Sequence, residues 1–161
     1  MNNYIVSKMA LVFCSIFILC IVSCTESDIQ KIEKDIIVKE RQILDEWGKG
    51  RTMVFPENSE AEITYFDPSL EKRIDGINQF TELLKPIENK FTIDRYEMIN
   101  PKVQVHGEIA VLSYNLVNYS KNSEGVEKKF SWNCTEVYKK RKEDWKIIHS
   151  HWSFTQPKLN L

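Results

Sequence analysis

Apolar residues between Ile29 and Trp47 recur at intervals of three and four: Ile29, Ile32, Ile36, Ile37, Ile43, Leu44 and Trp47, with Lys and Glu between them. That period is the signature of an amphipathic helix. Asp28 offers an N-cap, and Gly48-Lys49-Gly50 ends the run with residues that tolerate left-handed geometry. Residues 51–58 carry no period and contain Pro56, so they read as irregular. Glu62 to Phe66 then resembles a short strand closed by Asp67-Pro68. A second helix is predicted over Gly76 to Leu84, where Ile77, Phe80, Leu83 and Leu84 share one face and Pro86 stops the run.

After Pro86 the period changes. The segments 92–99, 102–106, 109–120, 128–140 and 145–154 are rich in Val, Ile, Tyr, Trp and Thr, and turn residues separate them: Asn100-Pro101, His106-Gly107-Glu108, Asn122-Ser123-Glu124-Gly125 and Lys142-Glu143-Asp144. Helices first and an antiparallel meander last is an α+β order. The long final strands must bury one face, and the N-terminal helices are available to cover it. A curved antiparallel sheet wrapped around those helices makes a half-open cone, and the mouth of such a cone is a pocket.

The start of the chain does not belong to that pattern. A short polar stretch with Lys8 precedes an apolar run from Met9 to Val22, followed by Ser23-Cys24. This is the outline of a secretion signal, and the run is shorter than the roughly 20 residues a membrane-spanning helix needs. Ile21-Val22-Ser23-Cys24 resembles a bacterial lipobox, in which the cysteine thiol takes the diacylglyceryl group and a small residue before it admits the peptidase. That resemblance implies residues 1–23 as a lipoprotein signal peptide, lipidation of Cys24, 24–28 as a tether, a domain over 29–155 and a C-terminal tail over 156–161. It also implies a bacterial cell envelope address, with the domain facing the periplasm or the exterior and held to the membrane by the lipid. An ordinary signal peptide that ends near a cysteine is the alternative.

Of the four cysteines, Cys14 and Cys20 fall inside the signal and Cys24 is the acylation candidate. Cys134 then stands alone, which excludes an intramolecular disulfide and a cysteine metal cluster. Lys and Arg number 22 against 23 Asp and Glu, so there is no bulk attraction to nucleic acid, and nucleic-acid partners are not expected. Eighteen aromatic residues, eight Phe, six Tyr and four Trp, provide surface suited to flat apolar ligands. No cofactor is implied.

The stretch Asn100-Pro101-Lys102-Val103-Gln104-Val105-His106-Gly107-Glu108-Ile109-Ala110, the turn before Trp145, and the ending Trp145-Lys-Ile-Ile-His149-Ser-His151-Trp-Ser153 resemble the nuclear-transport-factor-2-like superfamily. Within it the chain is most similar to SnoaL-like domains and to the association domain of calcium/calmodulin-dependent protein kinase II. The resemblance spans most of 29–155 and implies a cystatin-like cone that pairs into a homodimer through its open sheet face. The superfamily also holds ketosteroid isomerase, dehydratases, cyclases and non-enzymatic binding and scaffolding members, so the fold leaves the function open. The kinase association domain carries arginines in its pocket where this chain has Val117, Glu136 and Trp152, which argues against an anion pocket of that type.

If those three positions face the cone, strand alternation puts Asn115, Trp132, Cys134, Ile148 and Ser150 beside them. Trp47, Tyr65 and Phe66 fall where the mouth should lie. Glu136 in such a site would be desolvated and suited to general acid or base work, with Tyr65 or Asn115 polarising a substrate. Its alternative is an ion pair with Lys139, Arg141 or another nearby cation at the sheet surface. His149 and His151 read as structural or interfacial hydrogen-bonding residues on one face with Trp145, Ile147 and Ser153. A zinc site would need a third ligand, and only His106 remains. The leading expectation is a lipid-anchored domain that binds a small hydrophobic or amphipathic molecule. An isomerase or dehydratase using Glu136, and a non-catalytic assembly module, are its rivals.

Overall fold

The computed structural model describes residues 26–122, 124–142 and 144–155. The signal, Cys24 and the tail from residue 156 onward lie outside the described residues. The chain runs α1 (Glu26–Gly48), α2 (Val54–Glu57), β1 (Ser59–Phe66), β2 (Ile74–Asp75), α3 (Ile77–Leu84), a 3-10 turn (Lys85–Ile87), β3 (Arg95–His106), β4 (Ile109–Lys121), β5 (Glu127–Arg141) and β6 (Asp144–Phe154). The six strands form one curved, unclosed sheet in the order β2-β1-β6-β5-β4-β3.

The first helix begins earlier than its pattern predicts. Glu26, Ser27 and Asp28 are helical, so Asp28 lies in the first turn, where its acid complements the helix dipole, instead of at the cap. Residues 54–57, expected to be irregular, make the short helix α2, which Pro56 can enter because the first-turn amides need no partner. Glu88 holds its start: one carboxylate oxygen accepts the amides of Thr52 at 2.5 Å and Met53 at 3.0 Å as well as the Thr52 hydroxyl.

Two irregularities shape the sheet. Asn100-Pro101 does not separate two strands but interrupts one, with two residues of β3 passing opposite one of β4 and Asn100 at φ +49°. In β6, Val137 pairs with His149 while the next residue, Tyr138, pairs with Ile147, so Ile148 is an extra residue. Such bulges bend and twist the strand that carries them. The Ile148 bulge also changes which side chains point inward. Trp145 and Ile147 are buried before it, and Ser150 is buried after it. His149, His151 and Ser153 therefore fall on the opposite face from Trp145 and Ile147, which corrects the single-face reading of that strand.

The core lies between α1 and the concave face of the sheet. Ile36, Ile43 and Leu44 of α1 meet Leu112, Tyr114, Tyr138 and Ile147, with Phe80 and Leu84 of α3 and Val54 and Phe55 of α2 closing one side. The end of α1 is tied to the loop after α3 by backbone bonds from Asn89 N–H to the Gly50 carbonyl and from Ile93 N–H to the Gly48 carbonyl, both 2.8 Å. A Cβ at Gly50 would sit 2.6 Å from the Phe91 carbonyl oxygen, and its φ is +90°. Glycine is required there on both counts.

Candidate functional site

Aromatic residues from separate elements converge on the open end of the cone because alternation turns every second side chain of β5 and the last part of β6 inward. Trp132 stacks on Phe154 with centroids 4.2 Å apart and meets Trp152 edge-on at 5.7 Å. Phe55 of α2 meets Trp152 at 6.1 Å, and Trp47 at the end of α1 bridges Phe55 and Phe91. These rings line a cavity of about 920 Å³ together with Tyr65, Phe80, Leu116, Asn118 and Ser150. The two tryptophans wall the cone without filling it.

The structure brings Trp47, Tyr65, Trp132, Ser150 and Trp152 onto the cavity wall. It does not bring Phe66, Asn115 and Val117 there. In β4 the even-numbered residues Leu112, Tyr114, Leu116 and Asn118 are buried, and Val117 lies on the other face opposite Ser131 and Glu97. Asn115, on that same outer face, donates to Asn133 Oδ1 at 2.8 Å. A one-residue slip in placing this strand moves every side chain to the opposite face. Phe66 follows Tyr65 in β1 and so points the other way, where its ring meets those of His149 and His151. Ile148, also expected inside, is the bulged residue.

Glu136 lies deeper than a wall residue. It is fully buried behind Ser150 and Trp152, and its Oε1 accepts the Ser150 hydroxyl at 2.9 Å and the Trp152 indole N–H at 2.8 Å. Its Oε2 has no partner. Among the described residues Glu136 makes no ion pair, and Arg141 pairs instead with Glu60 at 2.7 Å. Burial pushes the Glu136 carboxyl well above the usual range, and the charge of Glu40 pushes it further.

Glu40 itself was missed by sequence reading. It occupies a core position of α1 between Ile36 and Leu44 and is fully buried. Tyr114 donates to its Oε1 at 2.6 Å, and Tyr138 donates to Oε2. Burial raises its pKa despite those two donors. The readable signal was an acid one turn from Ile36 and one turn from Leu44 on the apolar stripe. Cys134 is buried beside these groups with its thiol pushed up, mainly by burial. Such a thiol is a poor nucleophile.

On the outer face, His149 Nδ1 shares a 2.7 Å hydrogen bond with Thr64 Oγ1, and burial lowers its pKa. Among the described residues no group of three or more His, Cys, Asp and Glu gathers to hold a metal ion. No helix among them is long and apolar enough to cross a membrane.

The family model of the calcium/calmodulin dependent protein kinase II association domain matches residues 33–156, which is most of the chain. The chain belongs to that association domain family. A shared fold does not by itself fix a function. A candidate ketosteroid isomerase from Parabacteroides distasonis is 39% identical, with 78% of this chain and 89% of that one covered and a TM-score of 0.68. The association domain of the Caenorhabditis elegans kinase is 21% identical over 77% of this chain and 96% of that one, with a TM-score of 0.67. A protein with a cystatin-like fold from Caulobacter vibrioides is 16% identical over 78% and 92%, with a TM-score of 0.58. The last two share the fold alone. No curated protein matches the chain.

Proposed function

We propose that this association domain family member binds a small, flat hydrophobic or amphipathic molecule in its cone without transforming it. The observation that carries the reading is the cavity of about 920 Å³ walled by Trp47, Phe55, Trp132 and Trp152. Its size is within the range of small-molecule sites, and rings meeting edge to face leave aromatic surfaces for a planar guest. Buried polar groups lie at its inner end, with Ser150 on the wall and Glu136 behind it.

The second reading is an isomerase or dehydratase with Glu136 as the base, favoured by its unpartnered Oε2 and by the 39% identity to the candidate ketosteroid isomerase. Binding is preferred because a catalytic base must reach its substrate, whereas Glu136 is fully buried, outside the cavity lining, with one carboxylate oxygen taken by Ser150 and Trp152.

The lipobox-like Ile21-Val22-Ser23-Cys24 supports a domain anchored in a bacterial envelope through lipid on Cys24. The family supports self-association, with the outer sheet face as the homodimer surface. Native mass spectrometry of the protein purified from its source tests the reading. The expected spectrum contains a small-molecule adduct lost on unfolding and a subunit count of two. An adduct-free chain that also fails to bind a flat probe such as 2-naphthol removes the ligand reading. A strictly monomeric mass removes the homodimer. Labelled palmitate that enters the wild type but not Cys24→Ser supports the anchor, and labelling of neither removes it.

A further inference from the structure

Among the described residues, three side chains on the cavity wall are both polar and buried: Tyr65, Asn118 and Ser150. Two of them spend their protons within the protein. The Tyr65 hydroxyl donates to Asp67 Oδ2 at 3.0 Å, and the Ser150 hydroxyl donates to Glu136 Oε1 at 2.9 Å. Asn118 differs. Its Oδ1 accepts the Trp132 indole N–H at 2.6 Å, while its Nδ2 makes no hydrogen bond among the described residues. Chemistry fixes which amide atom is which, because an indole N–H only donates and so must face the oxygen. Nor is the NH2 group sealed in. Among the described residues, Glu136 Oε2 is the unpartnered side-chain atom without accessible surface, so the Asn118 NH2 retains some. Asn118 is only 7% exposed and lines the cavity, so that surface opens on the cavity.

Strand geometry puts the amide there. Asn118 lies on the inward face of β4 with Leu116, in register with Tyr96 of β3 and Phe130 of β5, whose rings also line the cavity. Trp132, which holds the amide oxygen, is stacked on Phe154 at 4.2 Å and meets Trp152 edge-on at 5.7 Å. The donor is thus fixed beside a wall of rings before any guest arrives, which spares the cost of ordering it on binding. Leu116, Tyr96, Phe130 and Trp132 around it carry no charge. One neutral donor in such surroundings cannot offset the desolvation of an anion, but it matches an uncharged acceptor.

We propose that the Asn118 amide is the polar recognition point of the cone, and that the guest is an uncharged aromatic molecule with an acceptor at its ring edge, such as a ring nitrogen or a carbonyl oxygen. The acceptor takes the Asn118 NH2 while the ring lies against Trp132 and Trp152. This rests on the ligand-binding reading above and adds the chemical class and direction of the guest. Selection follows from what is left unpaired. A ring without an acceptor strips water from the amide and gives nothing back, so the site discriminates against it.

Equilibrium dialysis of the full-length chain with quinoline and naphthalene tests the proposal, because the two share one shape, are uncharged at neutral pH and differ by one acceptor nitrogen. The substitution Asn118→Leu should lower the quinoline-to-naphthalene affinity ratio about tenfold from its wild-type value, a change worth about 1.4 kcal/mol. Leucine is close to asparagine in size, so naphthalene affinity should stay within about twofold. Proton–nitrogen correlation NMR of the wild type supplies a readout that needs no variant, should loss of the Trp132 acceptor unfold Asn118→Leu. The Asn118 side-chain NH2 signal should move downfield with quinoline and much less with naphthalene. A ratio unchanged in the folded variant overturns the proposal, as does an amide signal that responds alike to both probes, or wild-type binding of naphthalene alone. Binding of neither probe to the wild type overturns the ligand reading itself, which separates the two failures.

Discussion

Glu40 of α1 and Glu136 of β5 are two acids buried in one interior, each held by hydroxyl or indole donors and neither by a cation. Burial raises both pKa values, and for Glu136 the charge of Glu40 adds to the effect. Unfolded, these carboxyls ionise near their ordinary value of 4.5; folded, they keep their protons to higher pH. The native state then binds more protons above that value, so the stability contributed by these groups falls as pH rises and levels off once the folded carboxyls ionise. Glu136→Gln keeps an acceptor for Ser150 and Trp152 but cannot ionise. Its melting temperature should equal or exceed that of the wild type at about pH 8, with the gap closing toward about pH 5. Parallel melting curves for the two proteins across that range would contradict a raised Glu136 pKa.

Trp152→Phe retains an aromatic wall and removes the indole N–H that reaches Glu136. Losing one donor to a buried carboxyl should cost about 1–2 kcal/mol. Urea unfolding of Trp152→Phe, Glu136→Leu, which offers no acceptor, and the double variant forms a cycle that isolates this bond. Strict additivity of the two single effects would show that the indole acts by packing alone.

Deleting Ile148 removes the bulge and puts the residues on its two sides into one alternation. Trp145 and Ile147 then stay inward together with Ser150 and Trp152, because His149 alone separates Ile147 from Ser150. The expected outcome is that cooperative unfolding and the near-ultraviolet tryptophan signal are retained, as they are in Ile148→Ala. A deletion variant that loses both would mean that the bend at the bulge, and not the alternation, holds these residues in place.

Gly50→Ala places a methyl group 2.6 Å from the Phe91 carbonyl on a backbone with φ of +90°. Backbone movement must relieve that contact, at a cost of roughly 1–3 kcal/mol. The loop carrying Phe91, a ring of the cavity wall, must shift, so 2-naphthol binding should weaken along with the melting temperature. Gly125→Ala is the comparison, because its added Cβ meets nothing within 4 Å although φ is +78°. It should lose less stability and leave binding unchanged.

Much of the fold could be read from period alone, since α1, α3 and the long strands each carry a clean 3.6- or 2-residue pattern. Trp132 and Trp152 could be assigned to the cavity from the last two strands. Val117 and Asn115 could not, because the phase of β4 is set by its pairing with β5 and a chain reading has no register with which to fix it. Phe66 was assigned inward with Tyr65, although adjacent strand residues point to opposite faces. The His149 and His151 face was hidden by one bulged residue. Glu40 was overlooked for a different reason: a lone acid on an apolar stripe looks like a helix-surface residue until the two tyrosines that bind it are brought in from β4 and β5.

Among the described residues the one parallel strand pairing joins β1 to β6, with Ser59 matched to Ile147 and Tyr65 to Ser150. The earliest long strand therefore waits for the latest before it gains its neighbour, and the cavity wall that Tyr65 shares with Ser150 exists only after that meeting. Assembly of the chamber must be a closing event in folding, completed once nearly the whole domain has left the ribosome.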